Sequence, residues 1–289
     1  MKESDGQCHS NPASTYLTRR AFLVGSLAAG FALAVLPVSA ETIITDSKDQ
    51  VAGEIKIPVA DGEIPGYRAM PAVGGPFATV LVVHEIFGVH EHIKDLCRRL
   101  AKLGYFAVAP ALFARDGDVA RMTDTQQIIQ VVAKVPDRQV AADLDATVAW
   151  AKSTGHADTH KLGIVGFCWG GGQVWLYAAH NPNLRAAVAW YGILQRPSTE
   201  STPKSPLDLA AQIDVPVLGL YGGADVAIPM SQIDQMRVEL KAAGKPSEIV
   251  VYPDTPHGFN ADYRPSYRPQ QARDGWKRME AWFKAHGVA

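Results

Sequence analysis

Hydrophobic and polar residues alternate in two distinct rhythms along this chain, and the switches between them outline its elements. Residues 54–59 and 64–69 are short alternating runs around Asp61-Gly62, a turn pair, and predict a hairpin. Residues 79–83 are continuously apolar and rich in β-branched side chains, as in a strand buried on both faces. Residues 92–103 carry Ile93, Leu96, Cys97 and Leu100 at helical spacing, and Gly104 stops them. A strand over 105–109, helices over 123–135 and 137–153, and a strand from Lys161 into glycines follow. Beyond the helix that leaves those glycines, 186–191 and 216–221 read as buried strands, separated by a Pro/Ser/Thr-rich surface flap over 195–206. An amphipathic helix over 231–243, a strand over 248–252 and a terminal helix over 270–286, with Trp276, Met279 and Phe283 on one face, complete the order. Strands alternating with helices through connections of this length predict an α/β fold with a doubly wound, mainly parallel sheet in a single domain.

Residues 1–40 break this rhythm. Thr18-Arg19-Arg20-Ala21-Phe22-Leu23 precedes an uncharged stretch over 24–36, and Val38-Ser39-Ala40 offers the small residues at which signal peptidases cut. The apolar run is short for a membrane-spanning helix with stop-transfer flanks. The arginine pair resembles a twin-arginine export signal. The expectation is a leader over 1–40, a folded domain over 41–289, the twin-arginine machinery as a partner and a periplasmic or otherwise exported location. An uncleaved anchor or a chance basic pair is the alternative.

Composition narrows the function classes. At 47% hydrophobic and 20% charged, the 289 residues have the make-up of a globular protein, and a formal net charge of −1 gives no global attraction to nucleic acid or anionic membranes. Three cysteines, Cys8, Cys97 and Cys168, make no disulfide framework, and Cys97 falls on the apolar stripe of its helix, where it reads as core. His90-Glu91-His92 has no third ligand pattern nearby, so no metal site is assigned.

Candidate chemistry concentrates in loops that follow strands, because open parallel sheets place their sites beyond the strands' carboxyl ends. Gly166-Phe167-Cys168-Trp169-Gly170-Gly171 joins a strand to a helix with glycine two residues before and two after the cysteine. This is the spacing of a nucleophile elbow with sulfur in place of hydroxyl. The position lies at a helix N-terminus, where unpaired N–H groups and the helix dipole stabilise negative charge. Asp225 follows a strand in Tyr221-Gly222-Gly223-Ala224-Asp225, and His257 lies between the last strand and the last helix. A histidine there can serve Cys168 as general base, with Asp225 fixing its tautomer. Taken alone, Asp225 is an ordinary turn aspartate and Cys168 a buried turn cysteine; the order nucleophile, acid, histidine is that of α/β-hydrolases. Glu85, in His84-Glu85-Ile86-Phe87-Gly88, is a resting-state guard of the sulfur, a proton acceptor, or a helix-capping glutamate. The backbone N–H groups of Ile86 and Trp169 are the candidate oxyanion hole.

These segments, with Gly104-Tyr105 through Pro110-Ala111-Leu112-Phe113-Ala114-Arg115 and His257-Gly258-Phe259, resemble the dienelactone hydrolase (carboxymethylenebutenolidase) family over almost the whole chain from about residue 55. The resemblance implies an α/β-hydrolase fold, a Cys168, Asp225 and His257 triad with Glu85 beside it, and a monomeric, cofactor-free enzyme acting on a small lactone or ester. The family's substrate carboxylate is held by two arginines, one of which would fall four residues beyond the histidine, where this chain has Ala261. Arg264, Arg115 and Arg138 are the candidates to take that role, Arg115 and Arg264 foremost. Two rival readings remain: a binding protein built on a hydrolase scaffold, and acyl transfer or thioester cleavage by the same triad.

Overall fold

The computed structural model describes residues 43–289, so the expected leader and Cys8 lie outside the described residues. Eight strands form one sheet: β1 (Gln50–Val59), β2 (Gly62–Pro71), β3 (Phe77–Val83), β4 (Phe106–Pro110), β5 (Ala157–Phe167), β6 (Ala186–Trp190), β7 (Val217–Gly222) and β8 (Glu248–Tyr252). Their spatial order is β1-β2-β4-β3-β5-β6-β7-β8. β1 and β2 are the expected hairpin, β2 meets β4 antiparallel, and every pairing from β4 to β8 is parallel.

Every residue from Ala78 to Val83 in β3 is buried. Successive strand side chains point to opposite faces, so both faces of the sheet are covered there, as a doubly wound fold requires. The helices are α1 (Glu91–Lys102), α2 (Thr125–Val132), α3 (Asp137–Ser153), α4 (Trp169–His180), the short α5 (Pro206–Leu209), α6 (Met230–Ala242) and α7 (Pro269–Ala285). The apolar stripe of α1 is fully used: Ile93, Leu96, Cys97 and Leu100 are buried, and Gly104 at φ 94° ends the turn beyond it. On α7, Met279 and Phe283 are buried against the core, each contributing about 1.5–3 kcal/mol relative to exposure. No described helix is long and apolar enough to cross a membrane.

The observed elements match the pattern closely, but β1 begins at Gln50 rather than at residue 54, the short α5 was not expected, and two further boundaries differ. The helix expected over 123–135 is shorter, Thr125–Val132, because Asp124 caps it through the N–H groups of Gln126 and Gln127 and only eight residues keep helical bonding. β5 starts at Ala157, earlier than its apolar run. Ala157 and Asp158 pair with Phe77 and Ala78 before a register shift, so backbone bonds hold the strand's first residues, of which Ala157 is also buried. The 195–206 segment is mostly exposed, as expected of a flap, and runs into α5 through a capping box at Ser205 and Asp208.

Candidate active site

The carboxyl ends of β3, β5, β7 and β8 deliver Glu85, Cys168, Asp225 and His257 to one region of the fold. Cys168 has φ 58° and ψ −118°, a conformation costly for a side-chain-bearing residue. The flanking glycines make it attainable. A Cβ on Gly166 would lie 2.3 Å from the Gly170 carbonyl oxygen, and one on Gly170 would lie 2.4 Å from the Val83 oxygen and 2.5 Å from that of His84. Strand β5 and helix α4 therefore touch backbone to backbone, and the turn between them is driven into its strained form. The Cys168 N–H donates to the Trp190 carbonyl at 3.0 Å, which ties the elbow to the end of β6.

The histidine loop is pinned to the aspartate loop in the same manner. A Cβ on Gly222 would meet the Thr255 oxygen at 2.1 Å, and the bare backbone there lets the two loops cross. Gly223 N–H donates to Tyr252 O at 2.8 Å and Ala224 N–H to Thr255 O at 3.0 Å. Asp225 Oδ1 accepts from the Ala227 and Ile228 N–H groups at 2.8 and 3.2 Å, leaving Oδ2 to meet His257 Nδ1 at 2.7 Å. A further hydrogen bond joins the imidazole to the Cys168 side chain. Burial works against a charge on His257, but the Asp225 carboxylate and then the Cys168 sulfur outweigh it and push the imidazole up to about 10. Its ring packs edge-on to Tyr191 with centroids 5.0 Å apart.

Glu85 is completely buried. Its Oε2 accepts a hydrogen bond from the Tyr263 hydroxyl and lies 3.7 Å from Arg264 Nη2, while Oε1 has no hydrogen-bond partner among the described residues. Burial raises the carboxyl's affinity for a proton; Arg264 above all reverses this and holds Glu85 below the usual carboxylate range. The Arg264 guanidinium stacks over Phe87 at 4.6 Å and is raised in turn by the charges of Glu85 and Cys168 once they offset the cost of its burial. Two candidate carboxylate-binding arginines thus part company. Arg264 belongs to the site, whereas Arg115 is spent on Asp61 and Asp143, with contacts of 2.6 to 3.0 Å that tie the β1–β2 turn to α3. The Arg115 fork faces two carboxylates of the fold and braces the β1–β2 turn against α3.

Sequence reasoning singled out neither Tyr263 nor His84. The Leu112 N–H donates to His84 Nε2 at 3.1 Å, so Nδ1 carries the proton and donates to the Glu85 carbonyl at 2.7 Å. Burial drives His84 down to about 4, so it is neutral and this tautomer is fixed. Gly88 N–H donates to the same carbonyl at 3.3 Å. In a trans peptide the C=O and the next N–H point in opposite directions, so these two bonds also set the direction of the Ile86 N–H. Trp169 is the first residue of α4, and its N–H has no carbonyl of its own helix to reach. The Trp169 indole stacks on His84 at 5.7 Å and against Phe113 at 4.6 Å. The only signal for Tyr263 was its place beside Arg264 in the segment following His257. His90 and His92 pack edge-on and tilted against Tyr263, and His92 Nδ1 meets Asp262 Oδ1 at 3.1 Å.

A mainly parallel eight-stranded sheet of this order, carrying a strained elbow and a histidine–aspartate pair on successive strand ends, is an α/β-hydrolase. The dienelactone hydrolase family profile matches residues 64–287, and the chain belongs to that family. It is 61% identical to a Methylorubrum extorquens protein provisionally named carboxymethylenebutenolidase, covering 100% of both chains. A protein of the same provisional name from Escherichia coli K12 is 51% identical over 89% of this chain and 96% of its own. A crystal structure from Klebsiella pneumoniae, provisionally named dienelactone hydrolase, superposes with a TM-score of 0.79 at 53% identity, covering 81% of this chain and 98% of that one. The chain is therefore a hydrolase of carboxylic esters or lactones.

Proposed function

We propose that the enzyme opens a small lactone or activated ester by nucleophilic attack of Cys168, through an acyl-enzyme. The observation that carries this is the strained Cys168 at φ 58°, hydrogen-bonded to a histidine whose other nitrogen is fixed by Asp225. In this reading His257 already holds the thiol proton as an imidazolium at neutral pH and passes it to the leaving oxygen, and the N–H groups of Ile86 and Trp169 hold the tetrahedral oxyanion. Water then attacks the thioester with His257 as base, and the thiolate leaves. Glu85, with Oε1 unengaged, is a second acceptor beside the nucleophile, kept ionised by Arg264 until substrate enters. Arg264 balances the charge that builds up as the thiol ionises.

The test uses an aryl ester in excess over enzyme, followed through the pre-steady state. Wild type releases one equivalent of phenol in a burst and accumulates a thioester adduct on Cys168, visible as an acyl-sized mass increase in the intact protein. Cys168→Ala loses both burst and turnover. Turnover that survives in Cys168→Ala would sink the assignment. The paired arginines at residues 19–20 direct export in the same proposal, and replacing both with lysine retains the protein in the cytoplasmic fraction if it holds.

A further inference from the structure

Beside the elbow lies a cleft of about 340 Å³ whose walls include Ile86 on the loop after β3, Ile129 and Val132 on α2, Trp169 and Leu176 on α4, and Ile193 after β6. Among the described residues its one charged lining side chain is Arg196. That guanidinium is already engaged by Asp137 and by the Lys204 carbonyl at 2.8 Å, contacts that also close the flap against the start of α3. Ile86 and Trp169, whose N–H groups are the proposed oxyanion hole, are among its lining residues, so a carbonyl carbon bound at those N–H groups has one substituent beside the cleft. No residue of the described 253–267 segment borders it. A leaving oxygen must lie within reach of His257 to receive its proton, which puts the leaving group on the opposite side and the acyl group in the cleft.

We propose that this cleft is an acyl subsite for a neutral, apolar acyl group, a medium-length alkyl or a phenyl-bearing chain, and that it disfavours an acyl group ending in a carboxylate. The inference rests on the reading that Cys168 is the acylated residue. Two observations support it beyond the apolar lining. Helix α2 presents Ile129 and Val132 to the cleft and no arginine, so a buried carboxylate would have no cation on that wall. Arg264, the cation that does lie near the nucleophile, borders Glu85 rather than the cleft. A water needs about 10–15 Å³ of such cavity volume, so about 340 Å³ accommodates a hexanoyl chain.

The experiment holds the leaving group constant. kcat/KM is measured for the p-nitrophenyl esters of acetic, butyric and hexanoic acids, and for mono-p-nitrophenyl adipate, the carboxylate-ended counterpart of the hexanoate. Burial of each methylene predicts a rise of about fourfold, on the order of 10²-fold from acetate to hexanoate, with the adipate at least about tenfold below the hexanoate. Ile129→Trp and, at the exposed mouth, Ala133→Trp fill the cleft and collapse the hexanoate-to-acetate ratio towards one. A flat or falling chain-length series in wild type, an adipate as good as the hexanoate, or an unchanged ratio in both tryptophan variants would overturn the proposal. A binding arm separates its failure from that of the catalytic reading. In Cys168→Ala, hexanoate should bind more tightly than acetate by the same ordering, and Ile129→Trp should abolish that preference. Continued hydrolysis by Cys168→Ala would refute the nucleophile while leaving the subsite's binding preference standing.

Discussion

Glu85 and Arg264 form the most exposed energetic weakness of this site, because both charges are out of water and each is stabilised mainly by the other. At the 3.7 Å separation of Glu85 Oε2 and Arg264 Nη2, two unit charges in a medium of effective dielectric about 20 attract by about 4.5 kcal/mol. That attraction is the main part of what Arg264→Met removes. The carboxylate left behind can take up a proton instead of remaining charged, so the net loss at neutral pH should be about 3 kcal/mol. The pH dependence reverses with it. In wild type the Glu85 carboxyl is held below its ordinary range, so its contribution is present above the unfolded-state value and is lost as pH falls through the lower folded-state value. In Arg264→Met, desolvation is no longer offset and the folded-state value rises above the unfolded one. Ionisation then destabilises the fold, and the deficit grows as pH rises from the unfolded value to the new folded value. Urea unfolding at pH 5 and pH 8 should show a larger deficit for Arg264→Met at pH 8. Glu85→Gln should cancel most of it, with a coupling energy of at least about 2 kcal/mol in the double-mutant cycle. A coupling below about 0.5 kcal/mol, or a deficit that shrinks towards pH 8, would refute the reasoning.

Three other outcomes follow from the geometry. With His257 pushed up to about 10 by Asp225 and Cys168 despite its burial, kcat/KM should fall on the alkaline side near pH 10 as the imidazolium loses the proton that the leaving group needs. Asp225→Asn should move that limb to lower pH and cost on the order of 10³–10⁴ in kcat; a limb that stays in place would remove Asp225 from the charge balance. Gly170→Ala forces a Cβ to 2.4 Å from the Val83 oxygen, so it should cost more than about 2 kcal/mol by thermal unfolding. Gly53→Ala, with nothing within 4 Å, should change stability by less than about 0.5 kcal/mol. His84→Ala frees the Glu85–Ile86 peptide to turn, which should lower kcat by on the order of 10² with little change in KM, and His84→Gln, which keeps a donor and an acceptor, should recover part of the loss. A KM effect without a kcat effect would assign His84 to binding instead.

What could be read from the sequence and what could not divides along physical lines. β3 was legible because burial on both faces writes itself as an unbroken apolar run, and the interior stripes of α1 and α7 because burial on one face writes itself every three or four residues. Cys168, Asp225 and His257 were legible because the parallel topology places strand-end loops together whatever their separation in sequence. Tyr263 was not, since its bond to Glu85 spans 178 positions and leaves no periodic trace. The partners of Arg115 were hidden for a related reason: its place in the segment after β4 says nothing of Asp61 and Asp143, which the hairpin turn and α3 bring to it from elsewhere. The early start of β5 was hidden because its first residues are held by ladder bonds that any side chain permits.

One detail of the chain's entry into the fold bears on how the protein can be attached to anything else. Thr45 N–H donates to Asp95, Arg98 Nε reaches Thr45 O at 2.8 Å, and Lys102 binds Asp46 and the Lys48 carbonyl, both at 2.8 Å, so the chain is stitched along α1 towards its last turn before β1 begins. Gln50, the first residue of β1, faces Pro71, beyond the level at which Ala69 meets Ala107 in β4. That is the end of the sheet where the parallel strands begin, and the substrate mouth opens at the other. A tether, carrier or surface joined upstream of residue 43 would hold the enzyme by its underside, with the mouth turned outward to the solution from which its esters arrive.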